Sequence, residues 1–196
     1  MPCARQRPPV RCYDRSTMTG TSRAVDIRQL RQLSPAESDQ LWGWGENIFG
    51  TADFNLTYRP KNGEELRFVL YDDAQDPVSH AAVLKHHARA NGQEVLIGGI
   101  GGVVTIPAAQ RRGHAALLVR HATHFLREEW KVDFALLFCI DRMRGYYERL
   151  GWRKVACEVL LDQPAGKVLS PFHVMTMPFK QEFEILNNLD LNSASW

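Results

Sequence analysis

Val103-Val104-Thr105-Ile106-Pro107-Ala108-Ala109-Gln110-Arg111-Arg112-Gly113-His114-Ala115 lies where a strand ends and a helix begins. Small residues at Gly113 and Ala115 leave main-chain N–H groups at a helix N-terminus open to close approach, an arrangement that suits a phosphate. From residue 113 to 130 the apolar side chains Leu117, Leu118, His121, Phe125 and Leu126 recur at helical spacing. The chain then enters residues 134–140, a continuous apolar run suited to a buried parallel strand. Strand, helix and parallel strand make one β-α-β unit at the centre of the chain.

Upstream, Val25 and Ile27 alternate with Asp26 and Arg28, which predicts a first strand over residues 24–30. Ser34-Pro35-Ala36-Glu37 has the form of a capping box and predicts a helix running to about Phe49, stopped by Gly50. Residues 51–65 are polar and rich in turn formers, and read as a loop of the kind that lines binding sites. Residues 66–71 and 78–89 form a hairpin around Asp72-Asp73-Ala74-Gln75-Asp76-Pro77, and Asn91-Gly92 predicts a second hairpin into the strand that reaches Ile106. That strand is broken by Gly98, Gly99, Gly101 and Gly102, which implies a bulge or a ligand close to the backbone. Downstream come a short helix over residues 142–150, stopped by Gly151, a strand over 152–161 and a last strand over 172–179. The fold class is α+β, in α/β/α layers, with a mixed, mostly antiparallel sheet around the central crossover.

The chain has 196 residues, 44% of them hydrophobic, which suits one globular domain. We divide it into residues 1–23, a disordered N-terminal extension with Arg5, Arg7, Arg11, Arg15 and Arg23, and a domain over 24–196. A formal charge of +2 gives no reason to expect nucleic acid or an anionic membrane as partner. Cys3, Cys12, Cys139 and Cys157 show neither a C-x-x-C pair nor a zinc spacing, so no metal and a reducing, cytoplasmic compartment are expected. No window approaches a membrane span.

The opening segment resembles motif A of the GNAT acetyltransferases, Q/R-x-x-G-x-G/A, with Gln110, Gly113 and Ala115 at its defined positions and Pro107 at its usual proline. Tyr146-Tyr147-Glu148-Arg149-Leu150-Gly151-Trp152 is similar to the Y-x-x-x-G-[FW] end of motif B in the same family. The resemblance implies acetyl-coenzyme A as co-substrate, held by Val103, Val104 and Thr105 and by Gln110, Arg111, Arg112, Gly113, His114 and Ala115. A thioester carbonyl along residues 103–105 would meet a backbone N–H as its oxygen gains charge, with pantetheine amides on the same strand edge. By the same resemblance Tyr147 donates a proton to the departing thiolate, and the acceptor amine attacks directly. Cys139, in a buried apolar strand, is expected to be inert rather than a covalent carrier.

Within that family the layout is most similar to the aminoglycoside 2'-N-acetyltransferases, in length, in the Tyr147 to Trp152 motif and in a chain that reaches Trp196 shortly after Asp190. This implies a small-molecule amine as partner, with Trp196 and its terminal carboxylate at the acceptor, and leaves a homodimer open. Where those enzymes carry a glutamate this chain has Gly101, which points to a divergent branch acting on an antibiotic such as kasugamycin. Glu46, Asp53 and Asp141 are the candidate replacement acids, and one of His80, His86 and His87 is a candidate proton relay. Composition alone reads residues 187–196 as a disordered polar tail. The alternatives are a protein, peptide or polyamine N-acetyltransferase and a non-catalytic acyl-coenzyme A sensor.

Overall fold

The computed structural model describes residues 25–43 and 64–196. Strand β1 (Asp26–Leu30) leads to helix α1 (Pro35–Trp42), whose Ser34 hydroxyl accepts from the Glu37 amide at 3.3 Å while the Glu37 carboxylate accepts from the Ser34 amide at 2.7 Å. The capping box is as expected, but α1 closes at Gly43 rather than near residue 49. The expectation of a loop over 51–65 falls almost wholly outside the described residues.

Strands β2 (Glu64–Tyr71), β3 (Pro77–Ala90) and β4 (Gln93–Thr105) form two successive hairpins, the second turning at Asn91 and Gly92 with φ of 52° and 78°. These left-handed values are those of the tight turn that Asn-Gly favours. Helix α2 (His114–Glu128) crosses to strand β5 (Phe134–Cys139), which pairs parallel with β4. Helix α3 (Asp141–Arg149) follows.

The predicted strand over 152–161 divides into β6 (Arg153–Lys154) and β7 (Val159–Gln163), because its halves belong to distant parts of the sheet. Strand β8 (Gly166–Leu169) makes a hairpin with β7, and β9 (His173–Pro178) pairs with both β5 and β6. The polar tail is ordered, since β10 (Leu189–Asp190) lies between β3 and β7 and buries Leu189 and Leu191. The main strand order is β6-β9-β5-β4-β3-β10-β7-β8, with β2 on the other part of the β3 edge and β1 outside it.

Two faces of this sheet are packed differently. On one, α2 buries Leu118, Val119, Ala122 and Leu126 against Phe68, Leu70, Ile100 and Leu137, and α3 adds Tyr147. Leu117, expected in that stripe, is 37% exposed. On the other face Leu41 of α1 packs with Val69, Tyr71 and Val104, while Phe134, Leu136, Val159, Leu161, Phe183 and Leu189 build a further core beneath the C-terminal segment. Much of the glycine run in β4 is filled by the protein itself: a Cβ on Gly98 would lie 2.6 Å from Leu126 Cδ2, and one on Gly99 2.3 Å from the Trp196 ring.

Candidate active site

β4 and β5 are paired only over Ile97–Ile100 and Phe134–Leu137. Beyond these residues β4 runs on to Thr105 and β5 to Cys139 without pairing each other, so the two strands part and the edge of residues 101–105 that faces β5 lacks a partner strand among the described residues. Within that stretch β4 carries a bulge. Ala82 pairs with Gly101 and His80 with Val104, so Gly102 and Val103 together oppose Ala81. Gly102 has φ of 56°, the left-handed value that such a bulge asks of one residue and that glycine adopts without strain. The bulge sets Val103 against the α2 and α3 side and buries Val104 against α1.

A tight turn follows at the end of β4. The side-chain amide of Gln110 donates to the Thr105 carbonyl at 3.1 Å, and the Thr105 hydroxyl is 2.8 Å from that of Ser79. Gln110 thus braces the turn to the strand. Arg111 and Gly113 have φ of 62° and 84°, Arg111 and Arg112 are exposed, and His114 and Ala115 are half-buried. Among the described residues, a Cβ on Gly113 would have no neighbour within 4 Å, and no side chain caps the first turn of α2. Uncapped amides, a positive dipole end, open space and two flanking guanidinium groups fit the diphosphate of coenzyme A.

Tyr147 lies on the same face of the sheet as α2. It is 7% exposed, and burial raises its phenol well above the ordinary tyrosine range, with Tyr146 and Cys139 adding to the effect. The hydroxyl therefore stays protonated, as a proton donor must. The spacing of this motif has a structural cause: Trp152 N–H donates to the Tyr147 carbonyl at 3.1 Å and Gly151 N–H to that of Glu148 at 3.0 Å, which closes α3 with Gly151 at φ of 91°. The Tyr147 and Trp152 rings meet edge to face, 6.5 Å between centroids. Cys139 is 6% exposed and burial pushes its thiol up to about 11, so it is a poor nucleophile.

The opposite face of β4 carries Trp196. Its ring lies on Gly99 and its Cδ1 would be 2.9 Å from a Gly101 Cβ, so the side-chain space of residue 101 is taken by Trp196 itself. Phe138 meets the indole edge to face at 5.0 Å. Beyond Gly101, the rings of His80 and Trp42 stand over Gly102, with 3.4 Å from a Gly102 Cβ to His80 Cε1 and 3.6 Å to Trp42 Cη2.

The candidate acids fare differently. Asp141 opens α3 with its side chain 84% exposed and bonds to His173 Nε2 at 3.0 Å. Glu46 and Asp53 lie outside the described residues. The three candidate histidines separate clearly. His87 pairs with Glu94 on the surface and His86 Nε2 lies 2.8 Å from the Leu191 carbonyl, whereas His80 is 2% exposed. Trp42 was not legible as a site residue. Counting back from the Asn91-Gly92 turn sets His80 just past the glycine run, opposite Val103, and the bulge moves its partner to Val104, so the sequence did not separate it from His86 and His87.

A splayed parallel strand pair, an uncapped helix start at its mouth and a buried tyrosine beside it define an acyltransferase that uses an acyl-coenzyme A. Residues 30–155 match the family model of the acetyltransferase (GNAT) domain, and the chain belongs to that family, with acetyl-coenzyme A as co-substrate and an amine as acceptor. Its fold is similar to that of a Lactobacillus plantarum protein assigned as an N-acetyltransferase (18% identity, TM-score 0.52, covering 81% of this chain and 100% of that one). It is also similar to an acyl-CoA N-acyltransferase of Pseudomonas aeruginosa (19%, 0.51, covering 78% and 98%) and to Escherichia coli ElaA (14%, 0.50, covering 78% and 98%). No curated protein sequence matches the chain. Among the described residues no helix is long and apolar enough to cross a membrane, and no cluster of His, Cys, Asp and Glu has the form of a metal site.

Proposed function

We propose that this enzyme acetylates a primary amine of a small molecule, and that the acceptor is an aminoglycoside-type antibiotic modified at its 2'-amino group, with kasugamycin the best fit. What supports the reading is the seat of Trp196 on Gly99 and Gly101, which brings the residue assigned to the acceptor onto the face of β4 opposite Tyr147, beside the parted strand edge. In this reading the domain is residues 24–196, the enzyme works in the cytoplasm, and acetylation inactivates the antibiotic and confers resistance.

Acetyl-coenzyme A brings an activated thioester to the site. The amides of residues 111–115 hold its diphosphate, Arg111 and Arg112 add charge, and the free edge of Val103 to Thr105 pairs with pantetheine and polarises the carbonyl. The amine nitrogen bonds to the acetyl carbon and gives up a proton to solvent, the carbon–sulfur bond breaks, and Tyr147 protonates the sulfur and takes its own proton back from solvent. Trp196, Asp141, Glu46 and Asp53 are the residues assigned to the acceptor.

Purified protein with acetyl-coenzyme A and a panel of kasugamycin, common aminoglycosides, polyamines and peptides, followed by thiol release, tests this. Turnover of an aminoglycoside-type amine is expected. Turnover of polyamine or peptide alone overturns the assigned acceptor, and tight binding of acetyl-coenzyme A without thiol release from any amine would make the protein a sensor.

A further inference from the structure

We infer that His80 binds the acceptor amine directly, its Nε2 accepting a hydrogen bond from the amine N–H above Gly102. This deepens the function proposed above and rests on it. His80 Nδ1–H donates to the Gly102 carbonyl at 2.8 Å, which fixes the neutral tautomer and leaves Nε2 as an acceptor. Nε2 is fully buried and has no hydrogen-bond partner among the described residues. Tyr146 Oη, Trp152 Nε1, Ser195 Oγ and Trp196 Nε1 are also buried without a partner among the described residues, and what sets His80 Nε2 apart is that its ring stands over Gly102, where the strands part and a ligand completes the bonding.

The position of His80 supports the assignment. The strands part after Ile100 and Leu137, so an acyl group held on the edge of residues 101–105 lies beside Gly102. Tyr147 and the start of α2 are on one face of the sheet, where the thiol leaves. An amine must reach the carbonyl from the other face, and there the side chains nearest to a Gly102 Cβ are those of His80 and Trp42. Trp42, edge to face with His80 at 5.5 Å between centroids, supplies an apolar wall. Burial lowers the imidazole to about 4, with Arg67 adding slightly, so His80 remains an acceptor at neutral pH and is too weak a base to take the proton itself. It orients the nitrogen lone pair; the amine proton passes to solvent.

A bulge lock with no contact to substrate is the competing explanation, and His80→Asn separates the two. Its side-chain amide reproduces the donor to Gly102 and lacks the acceptor at Nε2. We expect kcat/KM for the amine to fall about 10- to 100-fold while the Kd for acetyl-coenzyme A stays as in wild type, with partial recovery in His80→Gln, whose amide oxygen reaches the Nε2 position. Unchanged kcat/KM, or a loss confined to thermal stability or acetyl-coenzyme A affinity, overturns the inference. Should the variants not fold, 15N-histidine-labelled wild type with coenzyme A, titrated with kasugamycin, gives a second readout: a shifted His80 Nε2 resonance supports the contact and an unmoved one overturns it. No thiol release by wild type from any amine in the panel defeats the acetylation reading and this inference together. Turnover with an indifferent His80→Asn defeats the inference alone.

Discussion

At the scale of single residues, the site separates groups by their environment. Tyr147, Cys139 and His80 are all buried, and burial keeps each neutral: the phenol protonated, the thiol protonated, the imidazole unprotonated. Neutral buried groups can give or accept hydrogen bonds without the cost of stripping water from a charge. Tyr147→Phe should therefore lower kcat by about 100-fold or more, with the Kd for acetyl-coenzyme A nearly unchanged, because the ring keeps its packing against Trp152. Steady-state kinetics beside calorimetric titration checks this. Cys139→Ala, by contrast, should retain acetyl transfer and change kcat less than about twofold, since a thiol held this high is not a nucleophile. The end of α3 was legible in the sequence because the spacing of Tyr147 to Gly151 is itself structural, set by the hydrogen bonds that close the helix, while the role given to Tyr147 came from the resemblance. The role of His80 was not separable from that of His86 or His87, because period-two alternation along a strand does not say where a bulge will reset the faces. Glycines marked the bulge without revealing which of them a side chain would fill.

At the scale of elements, the turn before α2 carries the cofactor claim, and its strain is separable from its binding. Gly113 and Gly92 both sit at left-handed φ, and at each the space a Cβ would occupy has no atom of the described residues within 4 Å; one lies at the helix start and one in the β3–β4 hairpin. Gly113→Ala and Gly92→Ala should each cost about 1 kcal/mol in stability from backbone strain. Only Gly113→Ala should also weaken acetyl-coenzyme A binding, by more than about tenfold, because its methyl occupies the space beside the amides. Equal affinities for the two variants, measured by calorimetry, would remove the diphosphate from this turn. Elements with local signals were readable: the capping box of α1, the Asn-Gly hairpin and the periodic α2. Those that failed depend on partners far along the chain. β10 is held by β3 and β7 and by His86 on the Leu191 carbonyl, a contact spanning 105 residues, and the polar composition around it held no local indication. The break between β6 and β7 has the same origin, since one joins β9 and the other β10.

At the scale of the whole molecule, the buried imidazole links the site to stability. The His80 pKa is lowered to about 4 from 6.5, chiefly by desolvation, against the support of its bond to Gly102. As pH falls below about 6.5 the unfolded chain takes up a proton that the folded one refuses, so unfolding becomes more favourable. The stability this group supplies is complete above its unfolded pKa and is lost progressively down to its folded one. Between pH 7 and 5 the loss should be about 2 kcal/mol, before most carboxylates titrate. His121 is lowered by burial and by His124, and acts in the same direction. Tyr71 limits the other side: burial and its hydrogen bond to Glu37 push it up to about 12, so stability should decline as pH rises from 10 toward that value. Urea titrations across pH 5–7 check the acid limb, and His80→Asn should flatten most of it. The same substitution should leave the alkaline limb intact, because Tyr71 and Glu37 join β2 to α1 without passing through His80. An acid limb as steep in His80→Asn as in wild type would mean that the imidazole is not buried as a neutral group, and would remove the acceptor that the amine site requires.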